Sequence, residues 1–255
     1  MTLITCKDLG FSYDGQPAVR GISCIIDEGD YLCVVGCNGS GKTTFVKGLL
    51  GLLKAYEGSL EFDKDLRLPN IGYLPQQVFI QKSFPAIVQE IVLSGRLSNL
   101  GLAPFYGKAD KSAAKESLEL LDIAALSKAS FSSLSSGQQQ RVLLARAICS
   151  APDGLKLLIL DEPMNGLDPH VRQDLYALID DLNKRLGIAI IMVTHDVQAS
   201  VRYASHILAL EGTQQFFGTA HEFEHTAVGQ ELMRDSCGGN CRVCGIWIED
   251  NPWMS

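Results

Sequence analysis

The sequence predicts an α/β fold: a mostly parallel sheet with helices on both faces and a helical block inserted in its middle. Three observations predict it. After residue 152, short apolar runs alternate with helical segments; the opening segment reads as strands divided by turns; and the stretch between them, residues 78–149, is mainly helical. Strands that alternate with helices build parallel sheets covered on both faces, and such strands read as near-continuous apolar runs.

Residues 3–9, 22–26 and 31–35 are short apolar or alternating runs. Asp14-Gly15-Gln16-Pro17 and Asp27-Glu28-Gly29-Asp30 separate them as turns. A helix is expected from Thr44 through residues 45–53, ending near Gly58, with further strands at 60–62 and 71–74. In the helical block, Pro85 opens one helix that runs through Ile91, and residues 111–121 repeat apolar positions at helical spacing. A loop with Gly101, Pro104 and Gly107 lies between these two. Residues 127–136 are serine-rich, a loop or helix entry, and 138–149 form a helix. Strands follow at 157–160, 188–193 and 206–210, with helices at 171–186 and 198–204. From about Ala220 the pattern shows no clear continuation. The organisation expected is one unit over 1–220, with the helical subdomain 78–149 inserted in it, and a tail over 221–255.

The composition is that of a folded chain: 46% of the 255 residues are apolar and 20% charged. A formal net charge of −7 argues against nucleic acid as the main partner, since such binders carry a basic face. The first eleven residues lack the basic region and apolar run of a secretory signal, and no apolar run approaches the roughly 20 residues of a membrane-spanning helix. The chain therefore reads as cytoplasmic. Of eight cysteines, Cys6, Cys24, Cys33, Cys37 and Cys149 sit among apolar neighbours as small buried side chains. Cys237, Cys241 and Cys244 form a cluster.

Gly36-Cys37-Asn38-Gly39-Ser40-Gly41-Lys42-Thr43 fits the phosphate-loop pattern G-x-x-x-x-G-K-[ST], after an expected strand and before the expected helix from Thr44. Glycines let backbone N–H groups converge on phosphate oxygens, and a helix N-terminus favours an anion. Lys42 is placed to reach the β- and γ-phosphates, and the Thr43 hydroxyl to hold Mg²⁺. The apolar run 157–160 leads straight into Asp161-Glu162. Burying unpaired charge is costly, so the pair points to chemistry: Asp161 near Mg²⁺, and Glu162 beside the attacking water as general base. The run 188–193 ends in Thr194-His195-Asp196. Parallel strands deliver their C-terminal ends to one sheet edge, where ligands bind, so His195 is expected to hydrogen-bond the γ-phosphate.

Leu134-Ser135-Ser136-Gly137-Gln138 resembles the LSGGQ signature of the ATP-binding subunits of ABC transporters. The ordered set of phosphate loop, Gln76, signature, Asp161-Glu162, Asn165-Gly166-Leu167-Asp168 and His195 strengthens the resemblance over roughly residues 1–220. It implies a RecA-like P-loop NTPase with an N-terminal antiparallel β portion. It also implies a head-to-tail dimer in which Ser135, Ser136, Gly137 and Gln138 complete the ATP site of a second copy. Tyr13 matches the aromatic residue that stacks on adenine. Gln76 matches the glutamine that touches Mg²⁺ and the attacking water and senses the membrane subunit; Asp168 matches the aspartate that communicates across the dimer. Ser136 stands where the signature usually has glycine, and Asn165-Gly166 where Ser-Ala is commoner. Neither change removes a catalytic group, so an active ATPase is expected.

Residues 84–96 look like the corresponding region of zinc and manganese importers and are also similar to iron-siderophore importers. A divalent metal importer is favoured, working with permease subunits and a separate substrate-binding protein, and peripheral on the inner face of the membrane. The spacing Cys237-x3-Cys241-x2-Cys244 suits Zn²⁺, with His221 or His225 as fourth ligand. It also occurs around iron–sulfur clusters of radical SAM enzymes, which is a poor match at a far C-terminus, and it equally suits a tail of free thiols. Two other classes are a soluble ABC ATPase of translation or DNA repair and a non-hydrolysing regulator. The single ATPase unit argues against the first, and Glu162 and His195 against the second.

Overall fold

The computed structural model describes residues 1–13, 15–76, 86–100, 105–151 and 154–236. Phe84 and Pro85, the loop residues Gly101 and Pro104, and the cluster Cys237, Cys241 and Cys244 lie outside them.

Strands β1 (Thr2–Tyr13), β2 (Gln16–Asp27) and β3 (Tyr31–Val35) open the chain, followed by α1 (Lys42–Leu49), β4 (Ala55–Phe62) and β5 (Ile71–Leu74). Three helices come next: α2 (Val88–Ser94), α3 (Lys108–Leu120) and α4 (Ser136–Cys149). Then come β6 (Leu157–Asp161), α5 (Pro169–Leu186), β7 (Ala189–Val193), α6 (Val197–Tyr203), β8 (His206–Leu210), β9 (Gln214–Thr219), α7 (Ala220–Glu224) and α8 (Ala227–Ser236). The α/β alternation is as the sequence predicts.

The chain divides into two compact units. One comprises Met1–Leu3, Ile26–Tyr31 and Phe62–Met192. Here β5, β6 and β7 lie side by side. β5 runs parallel to β6 with Leu74 opposite Leu160, and every residue of β6 and β7 is buried. Burial on both faces explains why these strands are apolar without alternation. Helices α2, α3 and α4 pack on one another, and Val88, Val92, Ala114, Leu118, Val142 and Ala145 on them are all buried. Arg96 and Asp110 pair inside this cluster at 2.9 Å, with side chains 8% and 15% exposed. Asp110 also accepts from the Gly107 N–H at 2.8 Å. The Arg96 hydrogen bond, seconded by that N–H, holds the Asp110 carboxyl below its usual range.

The other unit comprises Ile4–Ile25, Leu32–Glu61 and the described residues from Val193 onward. It holds a three-stranded sheet in the order β2-β1-β4. β3 pairs in parallel with β8, Val35 opposite Ala209, and β9 closes antiparallel on β8. Four of the five scattered cysteines are buried as expected, but Cys37 is only half-buried. Burial pushes the Cys33 thiol up to about 12; a hydrogen bond with Cys6, then burial, pushes Cys24 upward.

Several boundaries differ from expectation. α1 starts at Lys42, not Thr44, and ends at Leu49, because the chain turns at Gly51 and the Leu52 N–H folds back onto the Lys47 carbonyl at 2.9 Å. Gly58 lies inside β4 rather than at a helix end. α2 continues past Ile91 to Ser94, and α3 begins at Lys108. The stretch after Ala220, read without pattern, carries two helices. Its signal was legible: Thr219 and Glu222 form a reciprocal capping box. β9 was missed because it is a half-exposed edge strand without clean alternation.

Candidate nucleotide and hydrolysis site

The phosphate loop belongs to the second unit. It leaves the buried strand β3 at Gly36, whose φ is 145°. A Cβ there would collide with the Leu210 carbonyl oxygen and sit 2.8 Å from Ser40 Oγ, so only glycine lets the chain pass. At the far end Gly41 (φ 98°) caps α1 and passes within 2.9 Å, at its Cβ position, of the Ala18 carbonyl oxygen and Val19 Cβ. Lys42 is buried, and its Nζ donates to the carbonyls of Gly36 and Cys37 at 2.8 Å each. The lysine thus holds the loop closed with a charge-assisted pair. Ser40 Oγ is buried and has no hydrogen-bond partner among the described residues. A sealed hydroxyl beside curled backbone and a helix start is the chemistry that a phosphate oxygen completes. Asn38 and Gly39 are exposed, and Thr43 and Thr44 half-buried in the first turn of α1.

His195 reaches the same unit from β7. The Thr194 N–H donates to the Val34 carbonyl at 3.2 Å, beside the strand end from which the loop departs. Asp196 then caps α6, accepting from the Ala199 N–H at 3.0 Å. His195 is left exposed between them. Tyr13 is 53% exposed, with the Lys47 ammonium 5.6 Å from its ring centroid.

The acidic strand end belongs to the first unit. Asp161, the last residue of β6, is 1% exposed. Burial, then the Asp161 charge, pushes the Tyr73 phenol up to about 12. The β5–β6 register carries Gln76 to the level of Glu162, and Gln76 Nε2 donates to Glu162 Oε2 at 2.8 Å. Glu162 itself stands at φ 50°, one of three non-glycine residues at positive φ among the described residues. Such a conformation costs free energy and marks a constrained position. Asn165, given no role by the sequence reading, also donates to Glu162 Oε2, at 2.6 Å.

The signature residues build the start of α4. Ser135 caps it: its Oγ accepts from the Gln138 N–H at 3.3 Å and its N–H donates to Gln138 Oε1 at 3.0 Å. Ser136 is exposed at the first helical position and is not among the residues at positive φ, so serine replaces glycine there without strain. Gly137 has a packing reason besides its expected role: a Cβ would lie 2.5 Å from Val171 Cγ1 of α5. Asp168 caps α5, accepting from the His170 N–H at 3.0 Å.

The three cysteines of the tail, Cys237, Cys241 and Cys244, lie outside the described residues. No group of three or more His, Cys, Asp and Glu side chains that could hold a metal ion occurs among the described residues. His221 and His225 pack edge to face, with ring centroids 4.9 Å apart. No described helix is long and apolar enough to cross a membrane.

Comparison with known proteins agrees with this geometry. The family described as ABC transporter matches residues 19–165. The zinc uptake system ATP-binding protein ZurA of Listeria innocua is 34% identical over 90% of this chain and 91% of its own. The manganese transport system ATP-binding protein MntB of Bacillus subtilis is 34% identical, over 81% and 82%. A solved structure described as an inward-facing metal-chelate type ABC transporter superposes with a TM-score of 0.80 at 30% identity, covering 92% of this chain and 89% of that one. With its phosphate loop, signature helix and acidic strand end in family order, this chain belongs to the ABC transporter family as one of its ATP-hydrolysing subunits.

Proposed function

We propose that this chain powers the import of a divalent metal ion, zinc or manganese, through a membrane permease. Subunits of its family work as dimers with permease partners. The observation that carries the cargo reading is the similarity to ZurA over nine-tenths of both chains; MntB supports the same class. A separate substrate-binding protein delivers the metal, and the subunit sits on the inner face of the membrane through the permease. The likeness to a metal-chelate type transporter favours an iron-siderophore importer as the second reading. Uptake of zinc, manganese and iron in cells lacking this subunit separates the two: loss of zinc or manganese uptake supports the first, and loss of chelated iron alone refutes it.

In the hydrolytic step the phosphate loop, Gly36 to Thr43, wraps the phosphates of ATP, and Lys42 neutralises the β- and γ-phosphate oxygens. Tyr13 stacks on adenine. Glu162 takes a proton from water as its oxygen attacks the γ-phosphorus; the bond to the β-phosphate oxygen breaks, releasing ADP and phosphate. Gln76 orients that water, and His195 donates to the γ-phosphate. Thr43, Gln76 and Asp161 supply oxygen donors only, the set that suits Mg²⁺. When bound, the ion offsets charge on the β- and γ-oxygens. Ser135 to Gln138 of a second copy complete the site across the dimer, and Asp168 couples the two halves. Glu162→Gln keeps nucleotide binding and loses turnover by about 10³-fold, because the water loses its base; near-normal phosphate release would overturn the assignment.

The domain scheme of a 1–220 unit with an inserted 78–149 subdomain and a 221–255 tail belongs to this proposal. So does zinc binding by Cys237, Cys241 and Cys244. Equal zinc content in purified protein with and without the three cysteines would sink that part.

A further inference from the structure

We propose that Asn165 is a positioning residue for Glu162 and decides which carboxylate oxygen accepts the proton of the attacking water. The inference rests on the reading of Glu162 as general base. Three features of one short turn carry it. Asn165 Nδ2 and Gln76 Nε2 both donate to the same atom, Glu162 Oε2, at 2.6 and 2.8 Å. The Asn165 N–H also approaches the Glu162 carbonyl at 3.3 Å, so Asn165 holds the glutamate at backbone and side chain together. And Glu162 stands at φ 50°, a conformation that persists only where surrounding contacts over-determine it.

Two amide donors on one oxygen fix the carboxylate plane and commit Oε2 to the protein. Oε1 receives no donor from either amide and is left to act on water. The two donors are not equivalent. Gln76 comes from the end of β5, 86 residues away in sequence, and has a second duty toward water and Mg²⁺ in the proposed reaction. Asn165 lies three residues from Glu162 in the same turn and has no other assigned work, so it is the fixed half of the clamp. The Ser-Ala that is commoner here would bring a hydroxyl on a shorter arm. Asn165 is thus a substitution with a consequence at the reacting carboxylate, not a neutral one.

The test uses the full chain with Asn165→Ala, the isosteric Asn165→Asp, which lacks the donor, and Asn165→Gln, which keeps it. Thermal melts confirm folding of each. Single-turnover phosphate release should fall about tenfold or more in Asn165→Ala and further in Asn165→Asp, because a misdirected catalytic group loses rate steeply. Affinity for a fluorescent ATP analogue should stay unchanged, and Asn165→Gln should recover part of the rate. In a Glu162→Gln background, Asn165→Ala should cause no additional loss, since residues that act as a unit are not additive. Wild-type turnover in both Asn165→Ala and Asn165→Asp, or faster turnover in either, overturns the proposal. An equal proportional loss in the Glu162→Gln background makes Asn165 merely structural and overturns it too. Should Glu162→Gln itself hydrolyse ATP normally, the general-base reading has failed instead, and the two failures are thereby distinguished.

Discussion

The phosphate loop and the acidic strand end are held in different ways. The loop is fixed largely by its own backbone: Lys42 bonds to carbonyls five and six residues earlier, while Gly36 and Gly41 pass close to Leu210 and Ala18 where no Cβ fits. The strand end is fixed by side chains converging from elsewhere. Glu162 takes one donor from Gln76, two residues past the end of the neighbouring strand β5, and one from Asn165 in its own turn. A site made of local backbone is rigid and contiguous, and substitution should break it outright. A site made of converging amides keeps its fold when one amide is lost and gives up only its aim.

The largest expected effect is on the loop side. Lys42→Ala removes the two carbonyl bonds and the charge proposed to meet the phosphates, and should weaken ATP binding by about 100-fold or more, read by equilibrium binding of a fluorescent nucleotide. Loss of turnover with full affinity would instead place Lys42 with the strand-end residues and erase the contrast. Gly36→Ala comes next. Its Cβ meets the Leu210 carbonyl and Ser40 Oγ at a φ that alanine rarely adopts, so it should destabilise the chain by about 2–3 kcal/mol in urea denaturation and depress nucleotide binding. A smaller effect is expected at the signature. Gly137→Ala drives a Cβ against Val171 Cγ1 and should cost about 1–2 kcal/mol, recovered in large part by Val171→Ala. Failure of that rescue would mean that Gly137 is required for reasons other than packing on α5.

The smallest effect concerns the helical cluster and carries a sign. The Asp110 carboxyl is held down by Arg96 in the folded chain, so its contribution is fully present above the ordinary aspartate range and is lost as pH falls through the lower folded value. Asp110→Asn should therefore be less stable than wild type at pH 7, with the gap closing in acid; a gap that does not change with pH would exclude ionisation of Asp110 as its source.

How far the sequence could be read follows the same division. The loop was legible residue by residue, because backbone curvature needs glycines at fixed spacing and the motif is contiguous. The strands β5, β6 and β8 fell where apolar runs placed them, since burial on both faces leaves no polar positions to blur the pattern. The helix α7 was missed despite a capping box, because that signal is four residues long and the helix itself only five. At the strand end Gln76 and Glu162 were each singled out, but not their bond, and Asn165 was read as a harmless replacement.

By itself, then, the sequence determined the α/β class, the phosphate loop, the carboxylates Asp161 and Glu162, and the signature motif, all of which depend on neighbours within a few residues. Only the tertiary structure decided that Gln76 and Asn165 share one oxygen of Glu162, that a Cβ at Gly137 would meet Val171, and that Gly36 must clear Leu210. Those facts depend on strand register and on helix packing between distant segments. Periodicity and spacing along one chain do not encode which atoms meet across them.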